Sequence, residues 1–291
     1  MTERLKGTGV ALITPFLPDG AIDFLSLERL VENLIANGVN YIVTVCTTSE
    51  TPTLSEEEKD EIVRTVVRVN RGRVAIIRGL GGPDTRELLT SLKTKDFTGV
   101  DAILSVAPFY SRPSQNGLYQ HYKTVAENSP LPVILYNVPG RTGCNIEADT
   151  TLRLANDCPN IIAVKEASGM MNQIMRIINH KPADFSVISG DDALTLPLLA
   201  AGADGVISVV ANAFPKEVST MVRLARANNF ETAREIHLQL LDFTQACFRE
   251  GNPGGIKALL SLQGKIRNCL RLPQVPVSES LMNTFRELIH S

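Results

Sequence analysis

The chain has no tryptophan, few aromatic residues of any kind (5%), and no excess of either charge, with 29 Lys+Arg against 31 Asp+Glu. The cations are scattered instead of gathered on one stripe, so there is no basic field for nucleic acid. No apolar run approaches the ~18 residues of a membrane helix, and Met1-Thr2-Glu3-Arg4-Leu5-Lys6 lacks the apolar core of a signal peptide. The expected setting is therefore cytoplasmic, with no membrane partner. Cysteine is sparse: Cys46, Cys144, Cys158, Cys247 and Cys269 are odd in number, widely spaced and without a CxxC pair. That argues against a disulfide framework and against a zinc site, and predicts free thiols. Histidine is scarcer still. His121, His180, His237 and His290 are isolated, and no His/Asp/Glu spacing resembles a ligand set, so no metal is expected. Gly79-Leu80-Gly81-Gly82 has neither the GxGxxG form nor the lysine of a P-loop and reads as a tight turn, and no cofactor is expected.

What is present is an ordinary globular composition, 44% hydrophobic and 21% charged over 291 residues, enough for one large α/β domain and an appendage. Apolar runs fall at 9–13, 41–45, 73–77, 101–105, 132–136, 161–164, 185–188 and 205–209. Between them lie stretches of helical spacing, one opened by the capping-box pattern Ser55-Glu56-Glu57-Glu58. Eight strand-helix alternations predict a (β/α)8 TIM barrel, with a doubly wound open sheet as the competing arrangement. Beyond residue 228 the pattern turns to helices alone, near 231–250, 255–268 and 278–290, with Pro273 and Pro276 in a connector. The expected organisation is a barrel over 1–228 and a C-terminal helical region over 229–291.

Each predicted strand runs into hydroxyls, charges or turn formers, and in barrels that C-terminal rim holds the active site. Lys165 is the most unusual of these residues, because it closes the apolar run 161–164. Lysine is almost never buried unless its charge is paired or used. An ion pair with Glu166 is one reading; an amine able to attack a carbonyl and form a Schiff base is the other. Thr47 and Thr48 either cap a turn or form an anion nest for a small carboxylate. Tyr136 is a rim aromatic or a proton carrier for a carbinolamine. Arg141 is a solvated loop charge or a bidentate carboxylate clamp. Asp191 and Asp192 would repel a phosphate at the seventh strand. Gathered on one rim around a buried lysine, these residues favour a Schiff-base lyase acting on a keto acid.

Thr47-Thr48-Ser49-Glu50, Tyr136-Asn137-Val138-Pro139-Gly140-Arg141-Thr142-Gly143, Ile162-Ala163-Val164-Lys165-Glu166-Ala167-Ser168-Gly169 and Ser189-Gly190-Asp191-Asp192 resemble the signatures of the dihydrodipicolinate synthase and N-acetylneuraminate lyase superfamily. The Arg141 loop and the segment from Pro113 to Tyr122 are most similar to the branch that makes 4-hydroxy-tetrahydrodipicolinate in diaminopimelate and lysine biosynthesis. The resemblance implies that Lys165 forms an imine with pyruvate, whose carboxylate is held by Thr47 and Thr48, with Ile207 lining the same pocket. The enamine then attacks L-aspartate 4-semialdehyde, the second partner. Tyr136 matches the family's proton-transfer tyrosine, Thr48 its relay partner, Tyr110 the tyrosine given by a neighbouring subunit, and Arg141 the arginine for the second carboxylate. It also implies a homotetramer, a dimer of dimers.

Two departures stand out. The family usually reads Gly-Thr-Thr-Gly-Glu, whereas Cys46 and Ser49 replace both glycines here. If either position needs φ > 0, a β-carbon costs roughly 1–2 kcal/mol and reshapes the carboxylate nest. That departure motivates an inactive, non-enzymatic barrel as one alternative. Another keeps the imine and takes a sialic acid or 2-keto-3-deoxy sugar acid, against which the cation Arg141 speaks. The second departure concerns feedback by lysine. Glu87 matches sensitive members, but Glu56, Lys59, Pro83 and Phe109 stand where those carry His, His, Asn and Tyr. The resemblance therefore does not carry lysine feedback over to this chain.

Overall fold

A computed structural model describes residues 2–290. The apolar runs form eight parallel strands: β1 (Gly7–Ala11), β2 (Tyr41–Thr44), β3 (Ala75–Gly79), β4 (Ala102–Val106), β5 (Val133–Asn137), β6 (Ile161–Glu166), β7 (Ser186–Ser189) and β8 (Gly205–Ser208). They pair in chain order and close by β1 on β8, so the barrel and not the open sheet is the architecture. At the closing seam, Gly205 lies where a β-carbon would stand 2.0 Å from the carbonyl oxygen of Gly7, and only glycine lets the two backbones meet there.

The strands are buried on both faces, which is why they read as continuous apolar runs instead of alternating ones. The helices between them carry their own stops and starts. In Glu56–Asn70 the Ser55 hydroxyl accepts from the amide of Glu58 while the Glu58 carboxylate accepts from the amide of Ser55, the reciprocal cap that the sequence predicts.

Several boundaries differ from expectation: β1 lies two residues earlier than the run at 9–13, and β6 runs on through Lys165 to Glu166. Strand β3 runs on to Gly79, because Arg78 is buried in the strand and paired with Asp60 instead of marking its end. The helix expected over 255–268 stops at Leu262: Gly264 takes φ +68 and the amide of Lys265 donates back to the carbonyl of Leu260 at 3.0 Å, closing the helix. Helices Phe230–Arg249, Gly254–Leu262 and Glu279–His290 lie against the barrel, and Cys247, Ile256, Leu259 and Phe285 belong to the same buried cluster as Val10, Ile42 and Ile77. All five cysteines are unpaired, and among the described residues no helix is long and apolar enough to cross a membrane.

Candidate active site

Strands β5 and β6 are in register with Tyr136 opposite Lys165 and Asn137 opposite Glu166. Successive side chains point to opposite faces of a strand, so the first pair shares one face and the second pair the other. Lys165 is 4% exposed, and its Nζ lies 4.2 Å from the centroid of the Tyr136 ring. It makes no ion pair among the described residues. Beside it, Gly190 follows β7, where a β-carbon would come within 2.9 Å of Lys165 Cε. Glycine there leaves the lysine room.

Glu166 does not neutralise Lys165. Its carboxylate accepts from Asn137 Nδ2 at 2.9 Å, Gln173 Nε2 at 3.1 Å and Ser168 Oγ at 2.7 Å. Burial raises the pKa of this carboxyl, and those hydrogen bonds only partly oppose the rise. The ion-pair reading of Lys165 is thereby set aside.

After β2 the chain makes a short 3-10 turn, Thr47–Ser49. The amides of Thr47 and Thr48 open it and have no carbonyl three residues back within it. Thr48 is buried, and its Oγ1 accepts from Asn252 Nδ2 at 3.0 Å. The strain anticipated at Cys46 and Ser49 falls elsewhere. Cys46 is extended (φ −116, ψ −170), while the left-handed residues are Val45 (φ 55) and Glu50 (φ 56). Ser49 Oγ accepts from the amide of Cys46 at 3.1 Å and donates to the carbonyl of Leu12 at 2.7 Å, tying the turn to the residue after β1.

Thr47, Tyr136, Val138, Arg141 and Asn252 line one cavity of about 580 Å³ at this end of the barrel. Arg141 stands on the short helical turn Pro139–Thr142, and its guanidinium donates to the carbonyl of Asn252 at 3.4 Å. Lys165 and Thr48 are not among the lining residues, but each meets one that is, Lys165 the Tyr136 ring and Thr48 the Asn252 amide. Ile207 is buried on β8, in register with Gly9 of β1 and outside the lining. Tyr110 is the residue that one chain does not bring in. It is 95% exposed on the loop after β4, at φ +71, and takes no part in the cavity wall.

Two participants escaped the sequence reading, and a third was read there in another role. Asn252 links Thr48 to Arg141 from the C-terminal region, and the turn cluster Gly251-Asn252-Pro253-Gly254 was the available signal. Lys257, wholly buried, pairs with Glu50 at 2.5 Å. Asp192, expected to act as a repulsive rim charge, faces inward instead. Its carboxylate accepts from the amides of Val209 and Val210 and from Ser208 Oγ, fixing the end of β8, and burial pushes its pKa up.

Residues 4–291 match the Dihydrodipicolinate synthetase family. A 4-hydroxy-tetrahydrodipicolinate synthase of Parabacteroides distasonis is 53% identical over 286 residues, 98% of this chain and 96% of its own. Among solved structures, a monomeric dihydrodipicolinate synthase variant superposes with a TM-score of 0.96 at 39% identity, covering 99% of this chain and 97% of the other. The dihydrodipicolinate synthase from Acinetobacter baumannii, complexed with pyruvate, superposes with a TM-score of 0.95 at 41% identity, covering 98% of each chain.

Proposed function

The chain belongs to the dihydrodipicolinate synthetase family, and from that premise we infer that it condenses pyruvate with L-aspartate 4-semialdehyde to 4-hydroxy-tetrahydrodipicolinate, a Schiff-base lyase reaction of lysine biosynthesis. The observation that carries the inference is a buried lysine with no counter-ion among the described residues, standing in register with a tyrosine at a barrel mouth.

In this reading Lys165 attacks the carbonyl carbon of pyruvate, and the carbinolamine loses water to give the imine. Tyr136 carries the protons in and out, with Thr48 as the adjoining relay and Tyr110 supplied by a second copy of the chain. The amides and hydroxyls of Thr47 and Thr48 take the pyruvate carboxylate, and Ile207 supports the pocket from β8. Loss of a methyl proton turns the imine into an enamine, whose carbon attacks the aldehyde. Arg141 holds the carboxylate of that second substrate. The substrate's own amine then displaces Lys165, closing the ring and freeing the lysine, with one water lost overall.

The working assembly is a homotetramer of tight dimers in the cytoplasm, which gives the exposed Tyr110 a site to enter. The inactive-barrel alternative loses its motive, since neither Cys46 nor Ser49 is in a left-handed conformation. Lysine feedback is not expected: Lys59 and Lys95 each lie 2.6 Å from the Glu56 carboxylate, whose pKa their hydrogen bonds lower to about 2. Borohydride reduction in the presence of pyruvate tests the core of the reading. It should add one pyruvyl group to Lys165 and none to a Lys165→Met variant; an unmodified lysine in the wild-type peptide map would refute it.

A further inference from the structure

Lys257 is wholly buried, at 0% exposure, within helix Gly254–Leu262. Its Nζ lies 2.5 Å from the Glu50 carboxylate, donates to the carbonyl of Cys269 at 3.0 Å and stands 4.1 Å from the centroid of the Phe16 ring. Glu50 is likewise buried, and its second carboxylate oxygen accepts from the amide of Arg271 at 3.1 Å. Burying both charges is a poor route to stability, because a well-packed apolar pair of similar volume serves as well or better. The pair therefore calls for another role.

Glu50 occupies the position where such a role would matter. It closes the turn Thr47–Ser49: its amide donates to the carbonyl of Thr47 at 3.2 Å, and its backbone sits in the left-handed region that a glutamate does not favour. Five residues before Lys257, Asn252 reaches the same turn and donates to Thr48 Oγ1. The C-terminal region thus grips the turn at two points, Thr48 and Glu50. We propose that Lys257 is a positioning residue for the pyruvate-carboxylate turn: the buried Lys257–Glu50 pair holds Glu50 left-handed, which aims Thr47 and Thr48 at the space beside Lys165. The C-terminal helices are on this account part of the substrate site. The proposal rests on the activity inferred above.

The test compares full-length wild type with Lys257→Met/Glu50→Gln, which removes both charges and leaves neither orphaned. Borohydride trapping across a pyruvate titration, read by intact mass, gives the pyruvate concentration for half-maximal adduct. The double variant should keep its circular dichroism and its maximal adduct. Its half-saturating pyruvate should rise about tenfold, with the KM for aspartate 4-semialdehyde within about twofold of wild type. Glu50→Asp keeps both charges and draws the carboxylate back by one methylene, and it serves where the double variant fails to fold; a threefold rise is expected. An unchanged pyruvate half-saturation, or an equal loss for both substrates, would overturn the positioning role alone. Wild type that traps no pyruvate would overturn the inferred activity and this role with it.

Discussion

At the scale of single residues, left-handed backbone flanks the Thr47–Ser49 turn and is absent from it. Val45 at φ 55 is a β-branched residue in a conformation that costs of order 1–2 kcal/mol, and Gly79 makes space for it, since a β-carbon at 79 would lie 2.1 Å from the Val45 carbonyl oxygen. Ser49 contributes hydrogen bonds that glycine cannot make. Ser49→Gly should therefore lower the unfolding free energy by about 1–2 kcal/mol and bring no gain in turnover, as read by denaturant titration and steady-state assay. A variant both more stable and faster would show that the hydroxyl is a defect and not a tether. Sequence reading located Lys165 because a cation ending an apolar run is chemically anomalous in any fold. It misplaced the strain in the adjoining turn because φ is a property of the backbone path, which side-chain identity only biases.

At the scale of elements, the strands were legible for one physical reason. A parallel strand covered on both faces must be apolar throughout, and eight such runs with helical spacers leave few arrangements. The polar layer behind β5 and β6 was not legible, because its members are far apart in sequence. Asn137 Oδ1 accepts from the amide of Ile146 at 2.9 Å, and Gln173 Nε2 donates to the carbonyl of Ile146 at 3.2 Å and to Glu166. Together they clamp the far end of the loop that carries Arg141. Burial places the folded pKa of Glu166 above its ordinary value of 4.5. A carboxyl raised in this way contributes stability below pH 4.5, and that contribution is lost as pH rises through the folded pKa. Glu166→Gln stays neutral, so its melting temperature relative to wild type should climb across that window and then level off. It also sets an amide against Ser168, so the loop should loosen and KM for the aldehyde should rise a few-fold at unchanged pyruvate trapping. A flat difference in melting temperature would mean that Glu166 titrates as an exposed carboxyl does.

At the scale of the whole molecule, one chain supplies Lys165, Tyr136, Thr48 and Arg141 to one end of its barrel and leaves Tyr110 in solvent. Next to it Phe109 is 40% exposed and lines the cavity, so of the two adjacent aromatic residues Tyr110 alone stands clear of the cavity wall. The Tyr110 amide donates to the carbonyl of Thr142 at 3.4 Å, yet a bulky side chain left in solvent at φ +71 makes sense when a second copy receives it. The dependence can be measured without solving the assembly. Lys165→Met and Tyr110→Phe chains should each be impaired alone. In a mixed dimer, the Tyr110→Phe chain keeps its Lys165 and receives an intact Tyr110 from its partner. One of the two sites is then complete. With random pairing half of the dimers are mixed, so co-refolded chains should recover about a quarter of wild-type activity. A tyrosine acting within its own chain would give no recovery beyond the sum of the separate variants, because neither chain holds both residues.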